Sequence, residues 1–116
     1  MKSLLLFFLF ASGLASLKAN SNTMKALCYG PGLYGNKTAS GLKLTPTLVG
    51  VAHKSLPLGK RIKLQYCHKE IILPIIDRGP YATSAQLDVT EAAVKALGFK
   101  NCADFGVRTL LVELQP

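Results

Sequence analysis

Seven residues, "EIILPII" at 70–76, most restrict what this chain can fold into. The run is nearly continuous in apolar character, the pattern of a strand covered on both faces. Pro74 inside it cannot donate a ladder hydrogen bond and so marks an edge or a bulge. The run then stops at once on Asp77-Arg78-Gly79-Pro80. Asp77 either opens a tight turn, a common task for aspartate, or stands as a reactive acid at the lip of a groove.

The pieces available to cover such a strand are short. "MKALCYG" (24–30) reads as a first strand ending at glycine, and "LVGVA" (48–52) as a β-branched apolar strand. "RIKLQY" (61–66) alternates, with Ile62, Leu64 and Tyr66 on one face, and "VRTLLVEL" (107–114) is a final strand. Residues 30–47 form a Gly-, Pro-, Thr-, Ser- and Asn-rich loop, long for a small domain and of the kind that carries function. The segment 87–99, "LDVTEAAVKALGF", predicts the one helix. Thr90 is its N-cap, Val89 and Val94 form a hydrophobic staple, and Gly98 is the left-handed residue that closes it. Many short strands, one short helix and glycine-rich turns predict a mainly β fold closed into a small barrel.

The first residues read differently. Lys2 is a positive n-region, Leu4 to Phe10 an apolar h-region, and "ASGLASLKA" offers small residues for cleavage. Residues 1–19 are therefore expected to be a signal peptide, cut after Ala19, with Ala15 and Ser16 the next choices. The remaining 116 − 19 = 97 residues, 20–116, suffice for a single domain. No cysteine stands near the cut, so neither a lipid anchor nor a stable membrane anchor is expected, and a monomer is. Lys and Arg total 14 against 6 Asp and Glu; without Lys2 and Lys18 the balance is 12 − 6 = +6. Such a surface suits an anionic polymer of a cell envelope more than nucleic acid, or serves solubility alone. In an oxidising space Cys28, Cys67 and Cys102 allow one internal disulfide. Cys67–Cys102 is the favoured pair, because both fit surface connections while Cys28 lies within a strand pattern. No Cys/His spacing suits zinc, and no metal or cofactor is expected.

Four clusters, "YGPGLYGNKTASG" (29–41), "VAHKSLPLGKRI" (51–62), "IIDRGPY" (75–81) and "LDVTEAAVKALG" (87–98), together resemble the rare lipoprotein A family. Its members are double-psi β-barrels, some of them lytic transglycosylases of bacterial peptidoglycan, with expansins as more distant relatives. The resemblance covers roughly Ala26 to Leu114. It implies a six-stranded barrel with a glycan-binding groove, Asp77 as the catalytic aspartate and His53 as the groove histidine. Tyr29, Thr38 and Ser40 match positions near the groove. Two departures stand out. The family commonly carries an acid directly after "TASG", where this chain has Leu42, and a Trp where it has Cys28.

The chemistry this implies needs few groups. In lytic cleavage a proton goes to the glycosidic oxygen, and the muramic acid 6-hydroxyl, losing its own proton, attacks the anomeric carbon. No water enters, and one carboxyl can serve both steps, whereas hydrolases generally use two. Ile75, Ile76 and the barrel wall are expected to desolvate Asp77 and help it hold a proton. Arg78, counted among the substrate-binding residues, is expected to point away from the Asp77 carboxylate. His53 either meets a sugar or Asp77, or is a neutral ring bonded to backbone. Tyr29 and Tyr34 either stack on a sugar or pack on the barrel. Thr38 and Ser40 either bind sugar hydroxyls or make turns. Asp88 is expected to support the turn before the helix. The sequence thus predicts an exported endolytic transglycosylase acting on peptidoglycan strands, secreted or periplasmic. The alternative is a glycan-binding or expansin-like module that does not cut.

Overall fold

The computed structural model describes residues 21–116, so the expected signal segment and its cut points lie outside the described residues. Six strands close a barrel: β1 (Ser21–Tyr29), β2 (Val51–Ala52), β3 (Arg61–Tyr66), β4 (Lys69–Asp77), β5 (Leu87–Thr90) and β6 (Arg108–Leu114). Their order around the barrel is β1-β5-β2-β4-β3-β6. The β1/β5 and β2/β4 pairs are parallel and the others antiparallel, which makes the sheet mixed.

Alternation decides what fills the interior. Ile62 and Leu64 of β3, Leu73 and Ile75 of β4, Leu87 and Val89 of β5, and Leu110 and Val112 of β6 all point inward and are buried. The run at 70–76 is covered on both faces only at its end. Ile75 fills the barrel, Ile76 is buried outside it, and Ile72 is 47% exposed. Pro74 stands one residue before β2 begins to pair with β4.

The segment expected as helix divides in two. Leu87–Thr90 is strand β5, because Leu87 and Val89 alternate into the core, and only Glu91–Ala96 forms α1. The signals at its ends act as expected. Thr90 caps it, its Oγ1 accepting from Ala93 N at 3.4 Å and from Gly50 N at 3.2 Å. At the other end Gly98 has φ +102°, its N–H donates to Lys95 O, and Phe99 N–H donates to Val94 O. That is a Schellman closure. Val89 and Val94, on either side of the cap, are both buried in the core.

A second helix, α2 (Cys102–Phe105), was not expected. Asn101 caps it by accepting from Asp104 N at 2.8 Å, and Phe105 plugs the barrel end. It also corrects the disulfide: Cys28 bonds Cys102, with Cα atoms 5.2 Å apart, and Cys67 is a free, exposed thiol. Cys28 sits near the end of β1 and packs against the core, so a strand position faces the start of α2. Cys67-His68 is the two-residue tip of the β3–β4 hairpin, closed by the Tyr66–Lys69 pair.

Candidate functional site

The site is built by a slip in register. Val51 of β2 lies opposite Ile75 of β4, but Ala52 lies opposite Asp77, so Ile76 is an extra residue. Such a bulge re-aims the side chain that follows it. Without it, Asp77 would point into the barrel like Ile75. With it, Asp77 joins Ala52 on the outer face. Gly50, just before β2, leaves room for the displaced Ile76: a Cβ on Gly50 would come within 2.7 Å of the Ile76 side chain.

Ala52 pairs on its other side with Asp88 of β5. Asp88 lies between the inward-facing Leu87 and Val89, so it too points outward. The alanine methyl therefore separates two carboxylates on one face, two strand spacings or roughly 10 Å apart at Cα. They interact: burial first, and then the charge of Asp77, raise the pKa of Asp88. Asp88 is thus a candidate site residue, which sequence reasoning places in a turn before the helix. The alternation of "LDVT" was its signal, hidden by reading that segment as helical.

Asp77 is held firmly. Its Oδ1 accepts from Ala39 N and Arg78 N, each at 2.9 Å, and its backbone oxygen accepts from His53 N at 3.1 Å. The Ala39 contact brings in the long loop. Residues 36–44 fold back as a small hairpin, with Thr38 N donating to Leu42 O, Leu44 N to Asn36 O, and Ser40 N to Ile76 O. Its tip is fastened to the end of β4. Leu42, directly after "TASG", is 51% exposed on this hairpin.

Thr38 is buried, and its hydroxyl donates to Leu42 O at 2.8 Å. Its one proton is then used, so the Ser40 hydroxyl, 2.8 Å away, donates to Thr38 and keeps lone pairs outward. Thr38 therefore shapes the loop, and Ser40 alone of the two is exposed. Lys37 and Lys43 face each other across the same hairpin. The bonds at 38–42 and 44–36 make them a non-hydrogen-bonded pair, the closer cross-strand spacing. No ion pair to either lysine forms among the described residues.

His53 follows β2. Its Nδ1 accepts from Ser55 N at 3.1 Å and Leu56 N at 3.0 Å, so the ring is neutral and its proton is on Nε2. Burial, then the charges of Arg78 and Lys54, lower its pKa. Arg78 holds the same turn from below, its Nη1 donating to His53 O at 3.1 Å and Leu56 O at 2.7 Å. Its guanidinium thus serves the His53 turn and makes no ion pair with Asp77, as its alternate orientation predicts. One consequence concerns pH. The unfolded histidine takes up a proton near pH 6.5, while the folded ring resists until lower pH. The contribution of His53 to stability is complete above that value and is lost as pH falls through the folded pKa. Urea midpoints at pH 7.5 and 5 are expected to fall further for the wild type than for His53→Asn, whose side chain also accepts from the turn.

The two tyrosines separate. Tyr34 lies over Gly30, where a Cβ would come within 3.0 Å of its hydroxyl, and that hydroxyl donates to Glu91 Oε1 at 3.1 Å. The other Glu91 oxygen accepts from Cys102 N at 3.0 Å. Glu91 thus ties loop, α1 and α2 together, and Tyr34 is packed and bonded at the helix end. Tyr29, at the end of β1, stays with the acids: burial, then Asp77, then Asp88, raise the pKa of its hydroxyl.

Known proteins resemble this chain in sequence and in fold. Residues 26–109 match the double-psi β-barrel family model described as "Lytic transglycolase". The endolytic peptidoglycan transglycosylase RlpA of Rickettsia felis is 35% identical over 106 residues, covering 87% of this chain and 45% of that protein. The probable RlpA enzyme of Aquifex aeolicus is 36% identical over 72 residues, covering 60% of this chain and 32% of that protein. The chain thus spans less than half the length of these curated relatives. Among solved structures, the Streptomyces papain inhibitor superposes with a TM-score of 0.63 at 19% identity, covering 83% of this chain and 94% of that one. An apo expansin of Clavibacter michiganensis superposes with a TM-score of 0.61 at 19% identity, covering 83% of this chain and 50% of that one. At that identity these two likenesses establish the barrel fold.

Proposed function

The chain belongs to the lytic transglycolase family of double-psi β-barrels, and from that premise we propose that it cleaves peptidoglycan glycan strands as an endolytic transglycosylase. The observation that carries the reading is the name shared by its relatives, endolytic peptidoglycan transglycosylase, over a segment that includes Asp77, His53 and Asp88. Acting on peptidoglycan implies work outside the cytoplasm. Export through residues 1–19, a secreted or periplasmic location and a monomeric state belong to the same proposal. Among the described residues no helix is long and apolar enough to cross a membrane. The unpaired lysines of the 36–44 hairpin favour an anionic polymer as partner.

The two carboxylates divide the work. Asp88, its pKa raised, supplies the proton to the glycosidic oxygen. Asp77, with Oδ1 fixed by two N–H groups, offers its other oxygen to the proton of the muramic acid 6-hydroxyl. The oxygen of that hydroxyl attacks the anomeric carbon as the glycosidic bond breaks. His53 keeps an Nε2–H for a sugar oxygen. Ser40 and Arg78 line or brace the same region.

A pair of acids also suits a hydrolase, so the carboxylate count no longer selects the lytic reaction. The second reading, a glycan-binding or expansin-like module that does not cut, is favoured by exposed Leu42 in the place of an acid. The two are separated by incubating purified glycan strands with the protein and analysing the products by mass spectrometry. Anhydromuramyl ends are expected. Intact strands that still bind the protein would replace the first reading with the second.

A further inference from the structure

Among the described residues one buried side-chain polar atom has no hydrogen-bond partner, the hydroxyl of Tyr29. An unpaired buried donor costs about 1–3 kcal/mol, and native structures keep few of them. The position of Tyr29 gives a reason for this one. It shares the outer face of β1 with Leu27, and Leu27 lies opposite Asp88 in the parallel β1/β5 register. Across β5 and β2 the same face continues to Ala52 and Asp77. The phenol therefore stands on the face of both acids, diagonal to Asp88. The charges of Asp77 and Asp88, added to burial, keep its proton in place. It is a donor without an acceptor on the face that carries both carboxyls, whose oxygens accept more strongly once they are charged.

We infer that Tyr29 is a positioning residue for Asp88, its O–H held for the carboxylate that forms once Asp88 has given up its proton. The inference rests on the lytic reading above. In that step the Asp88 proton goes to the glycosidic oxygen, which also takes the electron pair of the breaking bond. The 6-hydroxyl proton goes to Asp77. Tyr29 transfers no proton; it donates a hydrogen bond to Asp88 in the interval, and solvent exchange then restores both acids. The titratable groups facing that hydroxyl are Asp77 from β4 and Asp88 from β5. His53, after β2, has its Nδ1 occupied by backbone.

Tyr29→Phe removes the hydroxyl and keeps the ring. The thermal midpoint is expected to stay level or rise, because an unpaired buried donor is gone. On glycan strands KM is expected to hold and kcat to fall about 10- to 100-fold, the scale of one hydrogen bond to a charged group. Losing the donor disfavours the Asp88 carboxylate, so the alkaline limb of the kcat profile moves to higher pH. Wild-type kcat with an unmoved profile overturns the inference. So does a kcat loss matched by a fall in thermal midpoint with no movement of the limb. A readout that needs no turnover separates this from the fate of the lytic reading. Carbon-13 carboxyl NMR is expected to show Asp88 titrating at higher pH in Tyr29→Phe than in the wild type. That shift supports the inference even if no strand is cut, and an identical titration overturns it even if strands are cut.

Discussion

Asp77→Asn is expected to lower the rate of glycan cleavage by about 10²- to 10⁴-fold, the range over which a positioned acid or base acts. Its fold should persist, because Asn keeps the side-chain oxygen that accepts from Ala39 N and Arg78 N. The fastening of the 36–44 hairpin to β4 therefore survives while the basic oxygen is lost. Binding of glycan strands is expected to change little. Asp88→Asn is expected to cause a loss of similar size with a different pH signature, since it removes the group that delivers the proton. If both variants cleave at the wild-type rate, the acids on either side of Ala52 are not the reacting groups. If Asp77→Asn also loses its thermal transition, the carboxylate has a structural task that Asn does not fill.

The second large effect is on stability. The Cys28–Cys102 bond joins residues 74 apart in sequence. In the chain-entropy treatment, closing a loop of that length in the unfolded chain contributes about 4 kcal/mol, a large share of the 5–15 kcal/mol typical of a domain. The double variant Cys28→Ala/Cys102→Ala is expected to unfold at least ~15 °C below the wild type, read by circular dichroism on heating. Cys67→Ser, at the exposed hairpin tip, is expected to leave the midpoint in place. A midpoint that falls with Cys67→Ser and holds without Cys28 would reverse the pairing. Reduction should also act near the site, because Cys28 precedes Tyr29 and Cys102 N donates to Glu91, which in turn accepts from Tyr34.

The barrel was legible because its inward residues alternate. Ile62 and Leu64 announce β3, and Leu110 and Val112 announce β6. The capping signals of α1 were legible because Thr90, Val94 and Gly98 act over a few residues of chain. What stayed hidden depends on contacts between distant segments. Four residues, Leu87–Thr90, carry both the alternation of a strand and the lead-in to a helix, and the helix signals beyond them are stronger. Nothing local in "VGVA" or "LPIID" reports that the register slips at Ile76, yet that slip sets Asp77 beside Ala52. Asp88 is hidden differently: the strand alternation of "LDVT" that marks it runs straight into helix signals, and Asp77, the acid across Ala52 from it, lies on another strand. Cys28 is hidden by its strand pattern, which favours the two other cysteines, whereas the end of β1 meets the start of α2.

Thr38 and Tyr34 show the converse. Both lie in the loop that resembles a substrate-binding segment, and both spend their hydroxyls on the protein itself, Thr38 on Leu42 O and Tyr34 on Glu91. The loop is thereby shaped and held, and what it presents outward is the exposed Ser40, the Leu42 side chain and the Lys37–Lys43 pair.

Because two carboxylates on one face suit hydrolysis as well as lytic cleavage, the decisive quantity is whether water enters the product. Purified glycan strands are digested in heavy-oxygen water, quenched at once, and the new ends analysed by mass spectrometry. Ends that are anhydromuramyl and free of the heavy isotope are expected, the oxygen on the anomeric carbon having come from the sugar's own 6-hydroxyl. Reducing ends carrying the heavy isotope would show that the pair of aspartates activates water instead, and would contradict the lytic mechanism.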